Sequence, residues 1–163
     1  MRIVRNIEIP TGITLSDLYR EHRIEYPKFF KMDNLCKLGF LATELLLEDD
    51  TDRFELREDR AVLMFSRNGC LANDLNYEKT MGDYPSPSLF VYTLPNIITG
   101  EIAIRNKYKG ETSAFLLDEY DEARIWAVVE EAFQDTVTTS AIVGWIDCRS
   151  ESEWTCKAFL VER

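Results

Sequence analysis

The feature that most constrains this chain is a set of short apolar runs separated by helical patterns. Arg60 to Ser66 (RAVLMFS), Ser113 to Leu117 (SAFLL) and Ser140 to Ile146 (SAIVGWI) are apolar at successive residues. They therefore read as strands buried on both faces rather than as alternating half-exposed ones. Trp154 to Val161 (WTCKAFLV) follows the third run after the turn Arg149-Ser150-Glu151-Ser152, and Arg2 to Ile9 alternates Ile3, Ile7 and Ile9 with charge. Between the runs, Leu35, Leu38, Leu41, Ala42, Leu45 and Leu46 recur at helical spacing behind Asp33 or Asn34 as N-cap. Leu89 to Lys107 predicts a second helix with Pro95 within it or at its start. Asp121 to Asp135 predicts a third, with Ala123, Trp126, Ala127, Val129 and Phe133 on its apolar side. Residues 10 to 32 read as a turn and a short helix, and the stretch around Gly82, Pro85 and Pro87 as turns.

The resulting order, β-α-β-α-β-α-β-β, requires a mainly parallel sheet with right-handed crossovers and helices on both faces. The last connection is too short for a crossover, so the final strand is expected to form an antiparallel edge. The expectation is a three-layer, five-stranded α/β fold in one domain spanning residues 1–163.

A net charge of −10 argues against nucleic acid, whose phosphates reward clusters of Lys and Arg. It also disfavours an acidic partner such as an acyl carrier protein, because like charges slow encounter. The densest basic patch, Arg105, Lys107 and Lys109, reads as a solvated helix end, and the run Glu48 to Asp52 as a solvated acidic loop. No apolar stretch reaches the ~20 residues that span a bilayer, and MRIVRNIEIP has neither an h-region nor a cleavage site, so the expected location is cytoplasmic. The four cysteines, Cys36, Cys70, Cys148 and Cys156, include no C-x-x-C pair, and the single histidine, His22, lies far from them. No metal site, disulfide or cofactor is expected, and Cys36 and Cys148 read as small core residues.

Five segments, in order, resemble the β-ketoacyl synthase family of the thiolase superfamily. They are Ser86-Pro87-Ser88-Leu89-Phe90; Leu94-Pro95-Asn96 with Gly100-Glu101-Ile102-Ala103-Ile104; Lys109-Gly110; Val143-Gly144-Trp145-Ile146-Asp147; and Ala158-Phe159-Leu160-Val161-Glu162. The match covers most of residues 33 to 163 and implies the N-terminal half of that family's fold. Asn96 and Gly100 lie four apart, on one helix face. A residue without a side chain at Gly100 lets the helix approach a neighbouring backbone, and the Asn96 amide is placed to bind the chain beyond; a tight helix contact alone explains both. Pro95, Asn96, Gly100 and Gly110 are thus the structural motif.

The resemblance also implies an activated cysteine just after the strand that follows Lys-Gly, and histidines in a C-terminal half that this chain lacks. Here the strand is followed by Asp118-Glu119-Tyr120-Asp121-Glu122. Condensation needs a thiolate and imidazoles to stabilise the developing charge, so no catalytic residue is assigned. Asp118 and Glu119 stand where the family places its nucleophile, although an acidic first turn is ordinary helix chemistry. The first reading is a non-catalytic, ketosynthase-like accessory protein of fatty-acid or polyketide-type biosynthesis, working as a homodimer or as a heterodimer with a complete ketosynthase. The alternatives are a small self-associating binding module unrelated to lipid synthesis, or an enzyme using Asp118 or Glu119 on an acyl thioester. A half-fold exposes the face that meets its other half, and the candidate interface is Leu89, Phe90, Ile97 and Ile98 on the helix with Phe115 and Leu117 on the strand.

Overall fold

In the computed structural model, which describes residues 1–82 and 84–163, the apolar runs form the sheet. In chain order the elements are β1 (Arg2–Glu8), α1 (Leu15–Glu21), a 3-10 turn (Pro27–Lys31), α2 (Asn34–Leu46), β2 (Arg60–Ser66), α3 (Leu71–Glu78), α4 (Pro87–Val91), α5 (Ile97–Asn106), β3 (Thr112–Leu116), α6 (Glu122–Ala132), β4 (Ser140–Cys148) and β5 (Trp154–Glu162).

The five strands lie in the order β1-β5-β4-β2-β3. β2 pairs in parallel with both β3 and β4, in a ladder running from Arg60 opposite Ser140 to Phe65 opposite Trp145. β5 pairs antiparallel with β4 and also with β1. The sheet is therefore mostly parallel with one antiparallel strand, as expected, but that strand is not the edge. β1 covers it, because the hairpin leaves the far side of β5 open. The charged, mostly exposed β1 suits an edge exposed to water.

Alternation along the strands divides the core in two. Val62, Met64, Ile142 and Ile146 join Phe29, Leu38, Phe40 and Ile102 beneath α1, α2 and α5. Ala61, Leu63, Phe65, Val143 and Trp145 meet Ile125 and Val129 of α6 on the opposite face. Asp33 caps α2 by accepting from the Cys36 N–H at 3.0 Å, and Asp121 caps α6 by accepting from the Arg124 N–H at 3.0 Å.

Three local expectations are corrected. The helix predicted over Leu89 to Lys107 is two, α4 and α5. Pro95 lacks an N–H and disfavours helical geometry at Leu94, so the chain turns there and restarts. α3 lies in the stretch read as turns; its two leucines, Leu71 and Leu75, face solvent and so left no core-facing pattern. The strand expected to be fully buried, β3, is a half-exposed sheet edge.

The glycines also take roles other than those expected. Gly100 has no atom from another part of the chain within 4 Å of where a Cβ would sit, and Asn96 forms no side-chain cap. The close helix contact is instead at Gly39 of α2, against the Ile98 side chain. Gly110 passes directly over the Arg60 backbone, where a Cβ would fall 2.4 Å from the Arg60 carbonyl oxygen. Gly110→Ala should therefore destabilise the fold by roughly 1–3 kcal/mol through a backbone clash. Gly100→Ala should be neutral or stabilise by up to about 1 kcal/mol through helix propensity. Urea unfolding of the two variants, read by circular dichroism, checks the contrast.

Candidate partner interface

A buried carboxylate organises the surface at the C-terminal ends of the parallel strands. Asp147, at the end of β4, accepts through Oδ1 from the Ser66 hydroxyl (3.0 Å), the Arg67 N–H (3.0 Å) and the Asn68 N–H (2.7 Å). Its Oδ2 accepts from the Asn68 amide at 2.8 Å. The Gly69 N–H donates to the Ser66 hydroxyl at 3.0 Å, and Gly69 takes a left-handed conformation that suits glycine. This corner directs α3 out along the surface rather than back over the sheet.

α3 and α4 then pack on each other. The Asn73 amide donates to the Leu89 carbonyl at 3.0 Å, and the Tyr77 and Phe90 rings lie 5.5 Å apart. Leu71, Leu75, Phe90, Val91 and Leu94 remain exposed on this arm. Beside it, Leu116 of β3 is 60% exposed. Along the same sheet margin, Leu56, Gly100, Ile104, Lys107, Lys109 and Thr112 are among the residues lining an open groove of about 790 Å³. Ile104 there is 67% exposed. Apolar side chains gathered along a sheet edge mark an association surface.

The expected interface residues divide accordingly. Phe90 is exposed and Leu89 is half-buried, both on the arm. Phe115 is half-buried and stacked on Phe65 at 4.9 Å. Ile98 and Leu117 are not available: at 3% and 8% exposure they belong to the two cores, and Ile97 packs against the first. The apolar content of α5 thus reflects its contact with α2 inside this chain. The outward residues of α6 are Glu122, Arg124, Glu130 and Glu131 with the small Ala123 and Ala127, which the sequence pattern had placed on its apolar side. Leu71 and Leu75 were missed because they sit in a stretch read as turns, and Leu116 because it lies on a strand read as buried; Leu94 and Ile104 lie on the helix read as the interface, although neither was singled out.

Asp118 and Glu119 follow β3 and are both exposed to solvent. Arg105 is not a solvated helix end: it pairs with the buried Glu44 and lies over the Tyr26 and Phe54 rings at 5.3 and 4.9 Å. The acidic loop is likewise anchored, through Asp50 and the buried Arg60 at 3.1 Å.

Cys70 and Cys148 share a second, smaller cleft of about 180 Å³ with Asp33 and Lys37. Burial pushes the Cys70 thiol up to about 12, helped by the Asp33 charge, and the Cys148 thiol up to about 11. Burial raises Cys36 as well and takes Cys156 up to about 12. All four stay protonated near neutrality, the opposite of an activated nucleophile. Native protein at pH 8 should react with a disulfide reagent far more slowly than free thiol, and all four cysteines should react once it is denatured; absorbance of the released thiolate reads both.

Asp33, half-buried beside the same cleft, is raised to about 6, chiefly by burial against the opposing hydrogen bond from the Cys36 N–H. The folded chain then holds this proton more tightly than the unfolded chain does, so stability from this group falls as pH rises from about 4 through about 6. Asp33→Asn keeps a good N-cap and removes the buried charge. It should stabilise the fold at pH 7 by about 1–3 kcal/mol, with the gain fading below about pH 4; denaturant unfolding at the two pH values tests this.

No protein-family model and no curated protein matches the sequence. Solved structures do match. One, the ishigamide ketosynthase/chain length factor, has a TM-score of 0.73 at 18% identity over 93% of this chain and 48% of its own. A ketosynthase in complex with its chain length factor from Xenorhabdus doucetiae gives 0.69 at 14% identity, over 99% of this chain and 78% of its own. A type II polyketide synthase acyl-carrier protein in complex with its ketosynthase gives 0.60 at 13% identity, over 91% and 57%. The chain therefore has the ketosynthase-like thiolase fold and spans about half the length of the first structure it matches. No helix among the described residues is long and apolar enough to cross a membrane.

Proposed function

We propose that this protein is a non-catalytic, ketosynthase-like accessory subunit, comparable to a chain length factor, that pairs with a complete ketosynthase in polyketide- or fatty-acid-type biosynthesis. The observation that carries the proposal is the apolar margin formed by the α3–α4 arm and the β3 edge. It lies on a fold shared with proteins whose structures contain ketosynthases and chain length factors together. Two features support a non-catalytic role. The turn after β3 offers Asp118 and Glu119 in place of a cysteine, and the thiols elsewhere are buried and held protonated.

On this reading residues 1–163 act as one domain equivalent to the N-terminal half of a ketosynthase, and the work is done in the cytoplasm by surface rather than by chemistry. The exposure of Asp118 and Glu119 speaks against the acyl-thioester alternative, because a general base in that chemistry gains its altered pKa from a dry site. An acyl carrier protein is more readily recruited by the ketosynthase partner than by this chain, whose charge is −10.

Co-expression with a candidate ketosynthase from the same biosynthetic locus, followed by affinity capture and sizing, tests the proposal. A stable complex of defined stoichiometry is expected. Leu75→Asp with Phe90→Asp should reduce capture at least about tenfold by placing charge in an apolar interface. Failure of the wild-type chain to bind any ketosynthase of its locus would remove this function.

A further inference from the structure

We infer that an open cavity of about 280 Å³ at the C-terminal end of α2 binds a small organic acid, its carboxylate held by Arg53, Arg105 and Arg23. The inference stands apart from the accessory-subunit reading. The cavity lies beside the chain that enters β2, at the end of the sheet opposite the Asp147 corner.

Two guanidiniums there share one carboxylate. Glu44 accepts through Oε1 from Arg53 Nη2 and from Arg105 Nε (3.2 Å), and through Oε2 from Arg105 Nη2 (3.2 Å). Arg53 also donates from Nε to Asn106 Oδ1 at 2.9 Å and from Nη1 to the Glu44 carbonyl at 3.4 Å. Arg105 donates from Nη1 to the Glu25 carbonyl at 3.3 Å. A guanidinium carries five N–H groups, so each keeps one on Nη1 and one on Nη2 without an acceptor among the described residues. The side chains of Glu44, Arg53 and Arg105 are only 4%, 10% and 19% exposed. One positive charge is thus left over in a largely dry cluster. A second carboxylate suits it, because that group accepts two N–H bonds in one plane.

These cations are fixed in advance. Phe54 lies against Arg53 at 4.7 Å and against Arg105 at 4.9 Å, and Tyr26 lies against Arg105 at 5.3 Å. Asn106 is itself held by its amide, which donates to the Ile102 carbonyl at 2.9 Å. Side chains braced in this way lose little freedom when a ligand arrives.

Arg23 supplies the rim. It follows α1 with a φ of 50°, a left-handed conformation in which glycine is the usual residue, and the Ile24 N–H closes the helix on the Tyr19 carbonyl at 3.2 Å. Arg20 already places a cation in the last turn of α1, where it complements the helix dipole. Arg23 is exposed and forms no ion pair among the described residues, so its strained position serves the cavity.

The surrounding charges limit what the cavity accepts. Glu48 is engaged by His22 at 3.2 Å. Glu25 has no ion pair among the described residues, and the carbonyls ending α2 and α5 add partial negative charge. Together they oppose a doubly charged phosphate and favour a single negative charge. Ile24, Leu45 and the exposed Phe54 give the rest of the acid an apolar wall, and the volume suits a metabolite rather than a large cofactor.

Titration of the purified chain with sodium butyrate, followed through the Nε–H signals of Arg53 and Arg105 in proton–nitrogen NMR spectra, tests the inference; sodium chloride at equal concentration gives the ionic-strength reference. Butyrate should produce saturable shifts at roughly millimolar concentration. Acetate, shorter by two methylenes, should bind about tenfold more weakly, and inorganic phosphate at pH 8 more weakly than butyrate. Arg23→Gly should weaken butyrate binding about threefold or more without lowering the thermal midpoint, because glycine relieves the left-handed strain. Glu25→Gln should strengthen binding about twofold. Shifts no larger than those from chloride, acetate or phosphate binding as tightly as butyrate, or variants that bind like wild type would each overturn the inference. Because no ketosynthase is present, these outcomes are independent of the capture experiment above.

Discussion

The surface of this protein depends on one buried carboxylate. Asp147 closes β4 by accepting hydrogen bonds from the chain that leaves β2, including two backbone N–H groups that a tight corner would otherwise leave unsatisfied. Because that corner is held, α3 starts at the sheet margin and its leucines face outward. The same corner seats Leu116, whose side chain lies beside Gly69 and so stands proud of the strand. A polar interaction between strand end and loop thus determines where the apolar surface appears.

The parts of the fold legible in the sequence were those in which burial repeats. β2 and β4 are apolar at successive residues because both faces are covered, and the structure buries each residue of both. Asp33 was readable as a cap because the apolar helix begins immediately behind it. The position of β1 was not readable, since nothing local distinguishes the two sides of β5. The exposure of β3 was hidden for a similar reason: SAFLL packs on one edge and both faces in part, so its composition resembles a central strand while its partner is missing. The close helix contact falls at Gly39 rather than at Gly100 because a glycine's neighbours are set by tertiary approach, not by spacing along a helix. Arg105 was misread because Glu44, its partner, is 61 residues away. Within the candidate interface, Phe90 could be found as an aromatic residue in a recurring motif. Ile98 and Leu117 could not be separated from it without knowing which face of each element turns inward.

Both faces of the sheet are satisfied within the chain. The cluster beneath α1, α2 and α5 closes one side, and α6 closes the other with an outer surface of charged residues and alanines. A half-length ketosynthase-like fold therefore need not leave a large apolar face in water. What remains unsatisfied is linear, a strand edge and the short arm beside it. That geometry favours partners that add alongside the sheet over partners that stack upon it. The net charge of −10 disfavours encounter with acidic surfaces generally.

The opposite margin behaves differently. β1 carries Arg2, Arg5 and Glu8, and its register against β5 slips between Ile3 and Arg5. A break of that kind twists the margin and spoils the regular row of donors and acceptors that another strand would need. Sheet growth is thus permitted at one end only. A sheet with two regular open edges would be at risk of joining others into fibres; the irregular β1 margin removes one of those edges.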